Sequence, residues 1–164
     1  MEKKEHDDIT FESSQGPVTL RIGGYIDRMD IKDSTLRIVD YKTGGSPKRL
    51  TNIEQLFTPS DTRPNYIFQT FLYADIISRK QSLQVAPALL YIHRAASDTY
   101  SPVIEMGEAR QPGVPINNFS LFEDEFRKRL IELLQEIFNN DIPFTQTEEL
   151  KKCGFCDFKT ICKR

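Results

Sequence analysis

The chain has 164 residues, 38% of them hydrophobic, with a formal net charge of -2 and 28% charged residues. That length suits one domain with a buried core, and the near-neutral balance excludes nucleic-acid binding through whole-chain charge, leaving only local clusters of Lys and Arg. No stretch approaches the roughly 20 apolar residues of a membrane span, and the charged opening is unlike a signal peptide, so a cytoplasmic protein without a membrane partner is expected. All three cysteines lie in the last dozen residues, a distribution unlike a disulfide scaffold and closer to metal ligation. The polar opening and the end shortly after Cys162 read as a fragment of something larger. Residues 1–164 are expected to form a single domain, with a cysteine-containing tail over 150–164.

In chain order, Ile9 to Phe11 and the alternating Val18, Leu20 and Ile22 flank Gln15-Gly16-Pro17, which predicts a first hairpin. Tyr25 to Ile31 and Leu36 to Tyr41 are two further β-rich runs joined at Lys32-Asp33-Ser34-Thr35, where Asp and Ser favour a tight turn. A three-stranded antiparallel meander is the simplest arrangement. After a polar loop from Thr43, Pro64 is placed as a first helical residue ahead of a buried helix over Tyr66 to Ile77. Val85 to Ile92 reads as a covered strand, with Pro102 to Met106 as a neighbour. Ser120 with Glu123 has capping-box spacing, and Phe122, Phe126, Leu130, Leu133, Leu134, Ile137 and Phe138 recur at helical spacing. The fold class is therefore α/β, a mixed α+β sheet flanked by helices, with no internal repeat and no dividing linker.

A turn centred on Asp33 and Ser34 sets Asp27 opposite Asp40, and the two-residue period of a strand puts Lys42 on the same face as Asp40. Like charges placed opposite each other need compensation. Mg²⁺ or Mn²⁺ would supply it through hard oxygen ligands, while acidifying water for attack on a phosphodiester, with Lys42 stabilising developing charge. The competing reading of the same spacing is two solvent-facing strand aspartates, and a bulge at Gly23-Gly24 would break the register.

Gly24 to Asp30, read as G-x-x-D-R-x-D, and Val39 to Gly44, which contains D-Y-K-T-G, resemble the PD-(D/E)XK nuclease superfamily, particularly its RecB and AddB branch. The thirteen residues from Asp27 to Asp40 are similar to the interval in that branch. Gln69 and Tyr73 resemble its Q-x-x-x-Y motif and fall on one face of the helix after Pro64. The resemblance implies a restriction-endonuclease-like core and a metal-dependent DNA exonuclease or endonuclease of recombination and repair, acting beside a helicase module or subunit. It implies Asp27, Asp40 and the backbone carbonyl of Tyr41 as ligands of Mg²⁺, Lys42 as the residue assisting the attacking water, and Gln69 and Tyr73 as groups that contact DNA or position the lysine. Arg28, Lys48 and Arg49 are the basic residues placed to meet phosphates.

Cys153, Cys156 and Cys162 form C-x-x-C-x5-C, similar to the last part of the iron–sulfur staple of AddB-type domains, although such spacing also suits zinc. In that family a distant fourth cysteine completes a [4Fe-4S] cluster. This chain has only three cysteines, so the cluster is expected to be absent or incomplete. A metal-binding His or acidic residue on a preceding helix, frequent in the family, has no counterpart, and neither His6 nor His93 is assigned that role. The competing functions are a non-catalytic DNA-binding or docking module on the same fold, and a small zinc protein built on the cysteines.

Overall fold

The computed structural model describes residues 2–108, 110–148 and 150–163. Strand β1, Lys3–Ser13, and strand β2, Gly16–Ile26, form a long antiparallel hairpin in unbroken register from Lys3↔Ile26 to Ser13↔Gly16. Ser13 and Gly16 close it, with the Ser13 hydroxyl donating to the Gly16 carbonyl at 2.8 Å and Gly16 at φ +107°. Glu5, Ile9 and Phe11 face inward along β1, the period-two pattern of a strand with one covered face. No bulge forms at Gly23-Gly24, because Gly23 pairs with His6 and Gly24 with Glu5 within the same ladder.

The run from Tyr25 to Ile31 is not one strand. The chain bends at Asp27 and resumes as β3, Arg28–Lys32, which turns back through Asp33 and Ser34 into β4, Thr35–Lys42. Asp33 and Ser34 lie at φ +51° and +62°, as a type I′ turn requires at both central positions. The β3–β4 ladder runs from Lys32↔Thr35 to Arg28↔Val39. The other edge of β4 is taken by β5, Gln84–Tyr91, parallel to it from Thr35↔Gln84 to Lys42↔Tyr91. The expected meander is thus corrected. The bend at Asp27 leaves β2 laddered only with β1, and β4 becomes the central strand of β3-β4-β5.

A parallel pair needs a long crossover, and helix α1, Asn65–Ser78, lies within it. Pro64 occupies the N-cap rather than the first helical position, its carbonyl accepting from Phe68 at 3.1 Å. The preceding segment, expected as plain loop, holds a 3-10 turn over Ile53–Leu56 that buries both of those residues. Helix α2, Ser120–Ile137, begins without the predicted capping box. Ser120 spends its hydroxyl as a donor to Asn118 Oδ1 at 2.9 Å, and that same oxygen accepts the Ser120 amide at 3.1 Å; the N-cap position itself is Phe119, so Asn118 satisfies the first-turn amide from one residue further out. Ile137 and Phe138, predicted on the apolar face, are exposed, although Phe138 meets Phe11 edge-on.

The core lies between helices α1 and α2 and the inner faces of the β4–β5 pair and the β1–β2 hairpin, from which Ile9, Phe11 and Ile26 enter it. Phe126 of α2 is fully buried with ring centroids 5.5 to 6.0 Å from Phe57, Phe68, Phe71 and Phe119, separations at which edge-to-face aromatic pairs are favourable. The predicted strand at Pro102 to Met106 is mostly irregular. Proline stands on both sides, so Val103↔Ala88 is a lone bridge, held by Leu89 N–H to Pro102 O at 2.7 Å and Ile104 N–H to Pro87 O at 3.3 Å. Beyond it, β6, Glu105–Met106, pairs with β7, Val114–Pro115. The tail carries one short helix, α3, Leu150–Cys153, and exposes Phe144, Phe155 and Ile161. Among the described residues no helix is long and apolar enough to cross a membrane.

Candidate active site

The bend between β2 and β3 decides where Asp27 sits. It lies one residue before Arg28, so the β3–β4 register extended by one step brings it opposite Asp40. Its Oδ2 accepts the Tyr41 amide at 2.6 Å. In a strand the N–H and C=O of one residue point to the same edge, so the Tyr41 carbonyl also faces the edge of β4 occupied by Asp27. β4 continues past Val39, its last partner on β3, which leaves that edge without a ladder at Asp40, Tyr41 and Lys42.

Asp40 is 4% exposed. Burial pushes its carboxyl above the usual carboxylate range; the adjacent Lys42 ammonium opposes this, and the nearby Asp27 adds to it. Lys42 Nζ is 2.5 Å from Asp40 Oδ2, yet that buried oxygen has no hydrogen bond of acceptable angle. Lys42 is thus a point charge beside an oxygen whose lone pairs are not satisfied, a costly arrangement in low dielectric.

Lys42 is held from three sides. Besides Asp40, it donates to Gln69 Oε1 at 3.1 Å and lies over the Tyr66 ring, 4.2 Å from its centroid, inside the range of a cation–π contact. Gln69 Nε2 in turn donates to the Tyr73 hydroxyl at 3.3 Å. Tyr66, Gln69 and Tyr73 are spaced three and four residues apart on α1, one face of a helix. Gly24 admits the end of Tyr73: a β-carbon there would stand 2.7 Å from the phenolic oxygen.

The structure therefore brings together Asp27, Asp40, Tyr41, Lys42, Gln69 and Tyr73, and adds Tyr66 and Gly24, which the sequence reading did not single out as site residues. The regular spacing of Tyr66, Gln69 and Tyr73 was the available signal for the first. The basic residues are less free than expected. Arg28 pairs with Asp30 at 2.6 Å and bonds Tyr41, which raises its guanidinium pKa, Lys48 donates to Thr62 O at 3.1 Å, and Arg49 pairs with Glu105 at 2.7 Å. Cys153, Cys156 and Cys162 are free half-buried thiols. Among the described residues no group of three or more His, Cys, Asp or Glu is placed to hold a metal ion. The two-carboxylate site passes a different test. Asp27, Asp40 and the Tyr41 carbonyl are hard oxygen donors, and the buried Asp40 Oδ2 lacks a well-aligned hydrogen bond, which suits a cation that keeps several waters.

With this geometry in hand, one comparison decides the family: the chain matches the PD-(D/E)XK nuclease superfamily over residues 1–163. It belongs to that superfamily. The mixed α/β architecture agrees with the restriction-endonuclease-like fold of such nucleases, whose members in general cut nucleic acid with divalent metals. No curated protein and no solved structure matches the chain.

Proposed function

We propose that this PD-(D/E)XK chain is a Mg²⁺-dependent deoxyribonuclease, an exonuclease domain of the RecB/AddB kind that works beside a helicase module in cytoplasmic DNA recombination and repair. The observation that carries the reading is the convergence of Asp27, Asp40 and Lys42 at the bend between β2 and β3, with Lys42 tied to Gln69. Asp27, Asp40 and the Tyr41 carbonyl would hold the cation, which when bound supplies charge neutralisation at phosphorus and a more acidic water. Lys42 directs its ammonium at charge developing on the phosphoryl oxygens. Gln69, oriented by Tyr73, and the face of Tyr66 fix the ammonium before substrate arrives, so little reorganisation is left for the reaction.

The test is incubation with labelled single- and double-stranded DNA in Mg²⁺, in Mn²⁺ and in EDTA, for the parent and for Asp40→Ala. Cleavage that needs metal and vanishes in Asp40→Ala is expected. Retained cleavage in Asp40→Ala would refute the assignment, and DNA binding without cleavage by the parent would favour a non-catalytic binding module.

A further inference from the structure

The surroundings of Lys42 are electrostatically one-sided. On the β3 side Arg28 and Arg37 are both engaged, closing on Asp30 at 2.6 Å. On the β5 side the chain leaves the sheet at Tyr91, the register partner of Lys42, and enters a 3-10 turn over Ile92–Arg94. A hollow of about 590 Å³ opens there, between that turn and the loop bearing Lys48 and Arg49, with His93, Arg94 and Tyr100 on its wall. A second hollow of about 300 Å³, lined by Arg63 and Tyr66, shares Lys48 and Tyr91 with the first. The two hollows adjoin through Lys48 and Tyr91 as a groove at the carboxyl ends of the parallel strands β4 and β5, and its smaller part is walled by Tyr66, whose ring lies under the Lys42 ammonium, and by Tyr91; that is the end where ligands of open α/β sheets bind.

The charge of the larger hollow departs from that of the chain, while the smaller sets Lys48 and Arg63 beside Asp61. The larger hollow presents Lys48, Arg49 and Arg94 against the single carboxylate of Glu105, on a protein whose net charge is -2. Arg94 and His93 are exposed, and no side-chain hydrogen bond or ion pair among the described residues engages Arg94. Lys48 makes one hydrogen bond, to Thr62 O, and an ammonium carries three protons. Ser97, Thr99 and Ser101 add hydroxyls. A hollow of this size is within the range of about 300–1,000 Å³ that takes small-molecule units, which suits successive nucleotides of a single strand rather than the flank of a duplex.

We propose that this groove grips a single nucleic-acid strand on the β5 side of the scissile phosphate, with Arg94, His93 and Lys48 on its phosphates, so that the enzyme needs nucleotides on one side of the cut and not on the other. The proposal rests on the reading of Asp27, Asp40 and Lys42 as the phosphodiester site, and its test separates the two. In EDTA, affinity for fluorescent single-stranded DNA is measured against salt for the parent, Arg94→Gln and Lys128→Gln, the last on the exposed side of α2. Each phosphate contact to a single strand contributes about 0.7 to the slope of log affinity on log salt. Arg94→Gln is expected to lower the slope by about that amount and Lys128→Gln to leave it unchanged. In Mg²⁺, oligonucleotides shortened on one side of the cut are expected to lose cleavage while those shortened on the other side keep it. An unchanged slope in Arg94→Gln, or equal length requirements on both sides, overturns the groove while cleavage by the parent stands. Absence of any metal-dependent cleavage overturns the nuclease reading, and the slope measurement still judges the groove.

Discussion

Arg127→Met isolates the one carboxylate that, among the described residues, is fully removed from water. Asp75 of α1 is 0% exposed, and its Oδ2 receives Arg127 Nη1 of α2 at 2.7 Å while Oδ1 has no partner. Arg127 also approaches Asp7 of β1 at 3.7 Å, and Arg79 reaches Asp7 at 3.5 Å. Burial pushes the Asp75 carboxyl up to about 6 from 3.8, with Arg127 and Arg79 opposing and Glu123 adding to the rise. The folded state therefore holds this proton more tightly than the unfolded chain. The stabilisation is complete below pH 3.8, falls as pH rises through the window to 6 and is absent above it. That window is roughly two pH units, worth about 3 kcal/mol from this group alone.

Without Arg127 the carboxyl moves higher still, and at pH 8 an unpaired buried charge costs about 3–5 kcal/mol. At pH 5 the acid is neutral and only the hydrogen bond is lost, about 1 kcal/mol. Urea unfolding followed by circular dichroism at the two pH values gives the difference between variant and parent. Subtracting the parent cancels Glu5 and Asp30, whose carboxyls are held low by Lys3 and Lys80 and by Arg37. The expected loss is larger at pH 8 by about 2–4 kcal/mol, and Asp75→Asn combined with Arg127→Met should abolish that pH dependence. Equal losses at pH 5 and pH 8 would refute the assignment of the buried charge to Asp75.

Other outcomes are expected at the site and its supports. Tyr66→Leu should lower turnover about 2- to 30-fold, the value of a cation–π contact of about 0.5–2 kcal/mol, with Tyr66→Phe near the parent; single-turnover cleavage reads both. Gly24→Ala pushes a β-carbon to 2.7 Å from the Tyr73 hydroxyl, so cleavage should fall while the melting temperature moves by a few degrees only, since the displaced atom ends a side chain. Gly23→Ala differs in kind. Its β-carbon would stand 2.2 Å from the Glu5 carbonyl at φ +155°, and thermal unfolding should show a loss above about 3 kcal/mol. Asp40→Asn should leave the fold intact by circular dichroism and reduce metal-dependent cleavage by at least about 100-fold.

What the sequence revealed depended on how local the signal was. The pairing of β3 with β4 follows from two turn residues, and the face shared by Asp40 and Lys42 follows from strand periodicity; both are found in the structure. The bend at Asp27 was not legible, because nothing in Tyr25 to Ile31 distinguishes one strand from two until the hairpin partner of β2 is known. The α2 cap was misread because Ser120 could cap or be capped, and only the orientation of Asn118 decides between them. The Asp75–Arg127 pair joins residues 52 apart in sequence, a contact set by how α1 packs on α2, to which local periodicity is blind.

Helix α1 serves two masters. One side carries Tyr66, Gln69 and Tyr73 to Lys42, while Ile67, Phe71 and Ala74 are sunk among the aromatic rings beneath. Because both faces belong to one helix, a shift of those rings is expected to displace the groups that hold the ammonium. Heat should accordingly silence cutting several degrees before the chain melts, and substitutions deep beneath α1 should register in catalysis ahead of calorimetry.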